Sequence, residues 1–469
     1  MLNLFLVLAI PAWFAMLYPV LRRGLAVAVR PLDARLVLPM VLVCTFAFMP
    51  LVFTVPREDG NAVLEEGLSA SNIITLVLTG LTGLYLLGKI ALDRRVALLP
   101  FAMPYLPFTL MIGVNTLSAA WSIVPPYTLY RSAELFIFYH ASIVIFDRTD
   151  IERRFADLLA IITVAWLVAV LPIIVDSLAH GIVFSAAKNN MMPYVCAMLG
   201  FLVVFRPPER RRRAYLALAL AGFVIAGSAA STGALVAVGP ALLMSSRHAV
   251  LRRLGIAGAL LAIVGFVLLM LDLAAFPALL DLLATILQKP AIELANGTGR
   301  STFWPTFIAA TQDRLAGSGF SAGDRFIQLL IPTTALAETL GREDVFITSS
   351  HNMFLSAWAG TGLIGLGFAL VVLLTTLSWG MKLDLGGRRF VAASVLMLVL
   401  NGMTTPGIFQ DWNVNVLALA GLLAFIRVQL PPDGRVPAYP PAEPRASAPA
   451  PVPGAPAPEA GVAAAWRIS

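Results

Sequence analysis

The chain has 469 residues, 59% of them hydrophobic and 13% charged, with a formal net charge of +7 and a mean hydropathy of +0.85. Soluble domains run at about 45–50% apolar and about 25% charged, so lipid is the solvent for most of this chain. The composition disfavours nucleic-acid binding, because no soluble basic domain exists to carry it.

A helix crosses a bilayer with about 20 mainly apolar residues. In chain order such stretches fall at 3–20, 36–55, 73–92, 96–119, 129–146, 155–176, 191–205, 214–229, 231–246, 255–273, 352–378, 390–404 and 413–429. Because 191–205 and 231–246 are short, the expected fold class is an all-α polytopic membrane protein with about 12–13 transmembrane helices. The first stretch lacks a basic leader and a small-residue cleavage site, so it reads as an anchor. Cys44 and Cys196 fall within spans and read as apolar packers without a disulfide.

Basic residues follow alternate spans. Arg22, Arg23, Arg30 and Arg35 follow the first; Lys89, Arg94 and Arg95 close the third; Arg148, Arg153 and Arg154 follow the fifth. Arg206 and Arg210–Arg213, then Arg247, Arg252 and Arg253, then Lys382, Arg388 and Arg389 continue the pattern. By the positive-inside rule the side that collects them is the cytoplasm. The net charge then reads as topology and contact with anionic membrane lipid.

The spans form one domain, 1–430, interrupted on the outer side by a long polar loop at about 274–350. Within that loop, apolar residues from Phe303 to Leu315 recur near helical spacing. Thr302 is the expected N-cap, Pro305 falls in the first turn, and Gly317-Ser-Gly-Phe320 ends the helix. A second amphipathic stretch runs from Asp324 to Leu330, and both are candidates to lie along the membrane surface. Residues 431–469 are Pro/Ala-rich and read as a disordered cytoplasmic tail.

The chain carries no Cys-x-x-Cys, His-Glu-x-x-His or Walker loop. Chemistry therefore has to come from polar groups at the outer surface. Arg300, in Gly297-Thr-Gly-Arg-Ser-Thr, stands at a helix start, where free N–H groups and a planar guanidinium suit an anion. The competing reading is a solvated loop arginine. His351 marks the beginning of span eleven and can take a proton from a hydroxyl near neutral pH, or serve only as an interfacial histidine. His140, inside a span, and His248, in a cytoplasmic loop, read as structural. Arg131 and Glu134, three apart on a helix, read as a local pair. Lys188, beside Asn189 and Asn190, suits a phosphate or a snorkelling role equally. The Gly360-x-Gly-x-x-Gly-x-Gly367 run reads as close helix packing.

Several stretches together resemble the O-antigen ligase and polysaccharide polymerase superfamily of bacterial inner membranes, its exopolysaccharide branch most of all. They are Leu117-Ser-Ala-Ala-Trp-Ser122 leading to Tyr130-Arg131-Ser132; Lys188-Asn189; Ser231-Thr-Gly-Ala-Leu235; Thr298-Gly-Arg300 with Trp304; Gly317-Ser-Gly-Phe320; and His351-Asn352-x-Phe-Leu355 with Gly362-Leu-Ile-Gly365. They occur in the family's order over about residues 115–370.

The resemblance implies a metal-independent, inverting glycosyltransferase of GT-C-like architecture in the bacterial inner membrane, working at the periplasmic face without a cofactor. Its donor is a glycan on undecaprenyl diphosphate. A polymerase extends another lipid-linked repeat unit, in company with a flippase and a chain-length regulator; a ligase transfers the glycan to lipid A–core. The implied catalytic residues are Arg300 and His351, with Arg131, Lys188, Asn189, Asn352 and Trp304 at the substrate. Ligases of this family carry an arginine after the serine of the Ser231-Thr232-Gly233 stretch, where this chain has Thr232. That departure favours polymerase, with Lys188 or Arg131 as the source of the missing charge. A transporter of lipid-linked glycan is the rival from another class, and a metal-using transferase working through Glu58 and Asp59 is the rival enzyme.

Overall fold

The structure, a computed structural model, describes residues 70–147, 248–271, 300–327, 350–403, 407–409 and 412–430, with a few isolated positions between 39 and 281. The expected spans at 3–20, 36–55, 155–176, 191–205, 214–229 and 231–246 lie wholly or largely outside the described residues. So do Lys188, Asn189, Thr232, the carboxylates Glu58 and Asp59, and the 431–469 tail.

Among the described residues the chain is helical and has no strand. The helices are α1 (Ala70–Leu92), α2 (Arg95–Leu98), α3 (Leu106–Leu117), α4 (Pro125–Phe146), α5 (Ala249–Leu271), α6 (Arg300–Thr311), α7 (Ala322–Arg325), α8 (Met353–Gly380), α9 (Leu385–Gly402) and α10 (Val414–Gln429). Four of them, α1, α4, α8 and α9, are long and apolar enough to cross a membrane, and a bent pair makes a fifth candidate. This is an all-α, multi-pass membrane architecture.

The bent pair corrects one expectation. Residues 96–119 are not one straight span: Arg95–Phe101 and Leu106–Trp121 meet at 87°. Pro100, Pro104 and Pro107 explain the break, since proline supplies no backbone donor and clashes with the preceding turn. Thr109 spans the corner, its hydroxyl donating to the Pro100 carbonyl at 2.6 Å. The next helix begins earlier than expected. Pro125 and Pro126 open α4, in the first turn where a missing N–H costs nothing.

α4 is the centre of the described bundle, packing against α1, α3 and α10. Phe138 stacks on Trp412 with centroids 5.4 Å apart, and Phe108 meets Tyr139 at 4.8 Å. The Tyr139 hydroxyl donates to the Tyr105 carbonyl at 3.1 Å. His140 is buried, with a ring nitrogen 2.8 Å from the Val96 carbonyl oxygen, which accords with a structural role. Outward faces are apolar: Ile73, Val77, Leu81 and Leu84 on α1, and Leu363, Leu370 and Leu374 on α8, are all exposed. In a bilayer such faces meet acyl chains and need no further cover.

The two ends of α4 differ. At its C-terminal end Asp147 pairs with Arg427 at 3.3 Å, and Arg427 also donates to the Met103 carbonyl at 3.2 Å in the bend that follows Arg94 and Arg95. At its N-terminal end the Thr128 hydroxyl donates to the Phe320 carbonyl at 3.0 Å. Twenty-two helical residues put about 33 Å between these ends. Likewise Lys382, Arg388 and Arg389 lie at the end of α8 remote from His351. The basic ends and the serine-rich end are thus on opposite sides of the bundle.

Candidate functional site

The site grows from the connection between α6 and α8. α6 is already helical at Arg300, ahead of the expected Thr302 cap, so Pro305 stands inside the helix rather than in its first turn. It ends at Thr311, whose hydroxyl bonds back to the Phe307 carbonyl at 2.8 Å and whose own carbonyl accepts from the Trp358 indole at 3.3 Å. The chain turns there, earlier than the Gly317–Phe320 stop that the sequence suggested.

Gly317 (φ 75°) and Gly319 (φ 102°) then carry the chain across the middle of α8. α8 is broken at Gly362 (φ 65°, ψ −148°), a conformation open essentially only to glycine. The loop satisfies the backbone groups that the break releases. Ser318 N–H donates to the Ala359 carbonyl at 2.7 Å, Gly319 N–H to Gly360 at 2.8 Å, and Leu363 N–H to Leu315 at 3.0 Å. A Cβ on Gly317 would overlap the Gly360 backbone, and one on Gly362 the Leu315 backbone. The glycine run does serve packing, but against this loop; Gly367 has nothing near it.

The same loop is tied to the α3–α4 connection. Phe320 N–H donates to the Ser118 hydroxyl at 2.8 Å, Ile123 N–H to the Ser318 carbonyl at 3.0 Å, and the Trp121 indole to the Ala316 carbonyl at 2.8 Å. Ser118, Thr128 and Ser318 are fully buried here.

Beyond the loop, α7 is a single turn, Ala322–Arg325, shorter than the amphipathic stretch expected from Asp324 to Leu330; residues 328–330 lie outside the described set. Asp324 is fully buried. Its Oδ1 accepts from Ser350 N–H at 2.7 Å, and its Oδ2 from the Ser356 hydroxyl at 3.0 Å. The Ser350 and Ser356 hydroxyls lie 2.9 Å apart. Trp304, one turn into α6 and 6% exposed, donates its indole N–H to the Ser350 carbonyl at 3.0 Å. Buried polar groups fixed in this way rigidify a unique arrangement.

His351 follows Ser350 directly. It is exposed and adopts φ 49°, unusual for a residue with a Cβ and a mark of a turn held by its surroundings. Asn352 is buried and caps α8, its Oδ1 accepting from Phe354 N–H at 2.9 Å and Leu355 N–H at 3.2 Å. Asn352 and Trp304, expected at the substrate, are therefore committed to building the turn that carries His351.

Arg300 stands in α6 four residues before Trp304, about 6 Å along the axis, and the Trp304 indole reaches the residue next to His351. Arg131 stands differently. Its guanidinium meets the fully buried Glu134 carboxylate at 3.0 Å and the Tyr127 hydroxyl at 3.1 Å, and lies over the Tyr127 ring. Tyr127 in turn packs edge-on against Phe326, 5.0 Å between centroids. Arg131 thus borders the same region, but its charge is already met by Glu134, as the local-pair reading held.

Sequence reasoning missed Asp324, Ser350 and Ser356 as a cluster. The available signal was the pairing of Gly-Ser-Gly at 317–319 with Gly-x-Gly at 360–362, which marks two backbones in close approach. The fold and this polar head define a class: a helical membrane protein with a rigid, serine-lined site at one end of its bundle. Comparison with protein-family models, with curated proteins and with solved structures finds no match for this chain.

Proposed function

We propose that this chain is a membrane glycosyltransferase of the polysaccharide-polymerase type, extending undecaprenyl-diphosphate-linked repeat units at the periplasmic face of a bacterial inner membrane. One observation carries the reading. The first described turn of α6, which holds Arg300, and the left-handed turn at His351 are tied through Trp304 to a single buried hydrogen-bond cluster, remote from the basic ends of the bundle.

The chemistry suits the two residues. A diphosphate is a stable leaving group, and charge grows on its oxygen as the anomeric C–O bond breaks. Arg300 meets that charge. His351 accepts the proton of the acceptor hydroxyl as its oxygen bonds to the anomeric carbon. Direct displacement inverts that carbon. The polyprenyl chain lies against the apolar outer faces of the helices.

A transporter is the weaker reading. Broken helices serve transporters when unwound carbonyls line an ion or substrate site. Here the break in α8 has its carbonyls, Ala359 and Gly360, taken by loop N–H groups. Substitution tests the proposal in cells. Arg300→Ala and His351→Ala each abolish chain extension while protein stays in the membrane at wild-type levels. Polymer of normal length from either variant removes that residue from the mechanism. Chelation by EDTA leaves extension unchanged; strong inhibition would instead favour a carboxylate-held metal ion.

A further inference from the structure

The geometry points to Asp324 as the positioning residue of this site: its buried carboxylate fixes the Ser350–Asn352 turn and thereby sets where His351 stands. The inference rests on the proposed transferase reading for its kinetic consequence, but its structural half does not.

A carboxylate in a helical membrane protein is costly unless its oxygens are satisfied. Both oxygens of Asp324 accept bonds from residues that flank His351, 26 and 32 positions further along the chain. The Ser350 hydroxyl adds two local ties, donating to the Asn352 carbonyl at 3.0 Å and accepting from Asn352 N–H at 3.3 Å. Asn352 caps α8, and Trp304 holds the Ser350 carbonyl from α6. Three elements, α6, α7 and α8, therefore meet at Ser350, and Asp324 brings a carboxylate to that junction. The residue placed at the apex is held at φ 49°. Left-handed backbone at a non-glycine residue persists only when its neighbours over-determine it. Asp324 supplies that constraint through Ser350 and Ser356.

α7 itself is wedged in place. Gly323 lies so close to the Ala359 carbonyl that any Cβ there would overlap it, and Ser321 before it also takes a positive φ, 59°. The carboxylate cannot drift without moving the loop that satisfies the break in α8. Rigidity of this kind is what a base needs, since a displacement of about 1 Å costs on the order of 100-fold in rate.

Two readouts on the full-length purified protein test the inference. The first is hydrogen exchange of the peptide spanning residues 348–354, followed by mass spectrometry. Asp324→Ala speeds exchange of the Ser350 amide by about tenfold or more, as expected for a lost bond to a charged acceptor; Asp324→Asn, which keeps a carbonyl acceptor, speeds it less. The second is chain extension with lipid-linked repeat units. Asp324→Ala lowers kcat by about 100-fold with donor KM unchanged, and Asp324→Asn recovers to within about tenfold of wild type. Should Asp324→Ala fail to fold, Ser356→Ala removes one of the two bonds and gives the same changes at smaller size. Unchanged exchange in these variants overturns the inference, as does loosened exchange with normal kcat. Equal inactivity of the Asn and Ala variants also overturns it, because the charge would then act directly. If the wild-type protein extends no glycan, the transferase reading fails, and the anchoring of the turn is judged on exchange alone.

Discussion

Replacing Gly362 with alanine probes the joint on which the whole site leans. At φ 65° and ψ −148° the backbone is in territory that costs any other residue about 1–3 kcal/mol. The added Cβ would also overlap the Leu315 carbonyl and the Ala316 backbone, which cannot swing aside as a flexible side chain can. If the loop retreats, three backbone bonds between it and α8 go with it, each about 1 kcal/mol. The expected loss is about 4–6 kcal/mol, enough to release the Gly317–Asp324 segment and with it the His351 turn. Thermal unfolding in detergent gives the stability change, and hydrogen exchange of the 315–324 peptide shows whether the loop has left. Gly367→Ala is the control: that position has open space around it, and alanine favours a helix over glycine by about 0.5–1 kcal/mol, so the variant is neutral or slightly stabilised. Equal behaviour of the two variants would refute the reasoning.

Two further outcomes follow from the structure. Arg131→Ala leaves the fully buried Glu134 without its guanidinium and destabilises the protein by about 3 kcal/mol; adding Glu134→Ala restores part of the loss, and a double-mutant cycle measures the coupling. Burial raises the Asp147 carboxyl above its ordinary pKa, while the Arg427 guanidinium pulls it back. A raised native pKa means that this group's contribution is complete below the unfolded value, near pH 4, and is lost as pH rises through the native one. The difference in Tm between wild type and Asp147→Asn should therefore move against wild type as pH climbs through the carboxylate range. A constant difference, or one of opposite sign, would show that burial does not dominate at Asp147.

Much of the bundle was legible because a bilayer demands long apolar runs with polar ends. The spans read at 73–92 and 413–429 lie within about three residues of α1 and α10. Hydropathy is blind to where such a run bends, so 96–119 looked continuous although Pro100, Pro104 and Pro107 stood in it. The site was half legible. Arg300 and His351 stand out as polar groups at the edges of apolar or helical runs. Asp324 does not, because an aspartate in a long polar loop looks solvated and its partners are distant in the chain. Asn352 and Trp304 drew notice as polar or amphipathic residues near those edges, and the bonds they make in the structure serve the scaffold.

The most direct test of the central claim uses protein reconstituted with lipid-linked repeat units, the glycan being sized before and after incubation. The account predicts stepwise lengthening by wild type, and none by Arg300→Ala or His351→Ala. Movement of the lipid-linked units across the bilayer without any lengthening would contradict it.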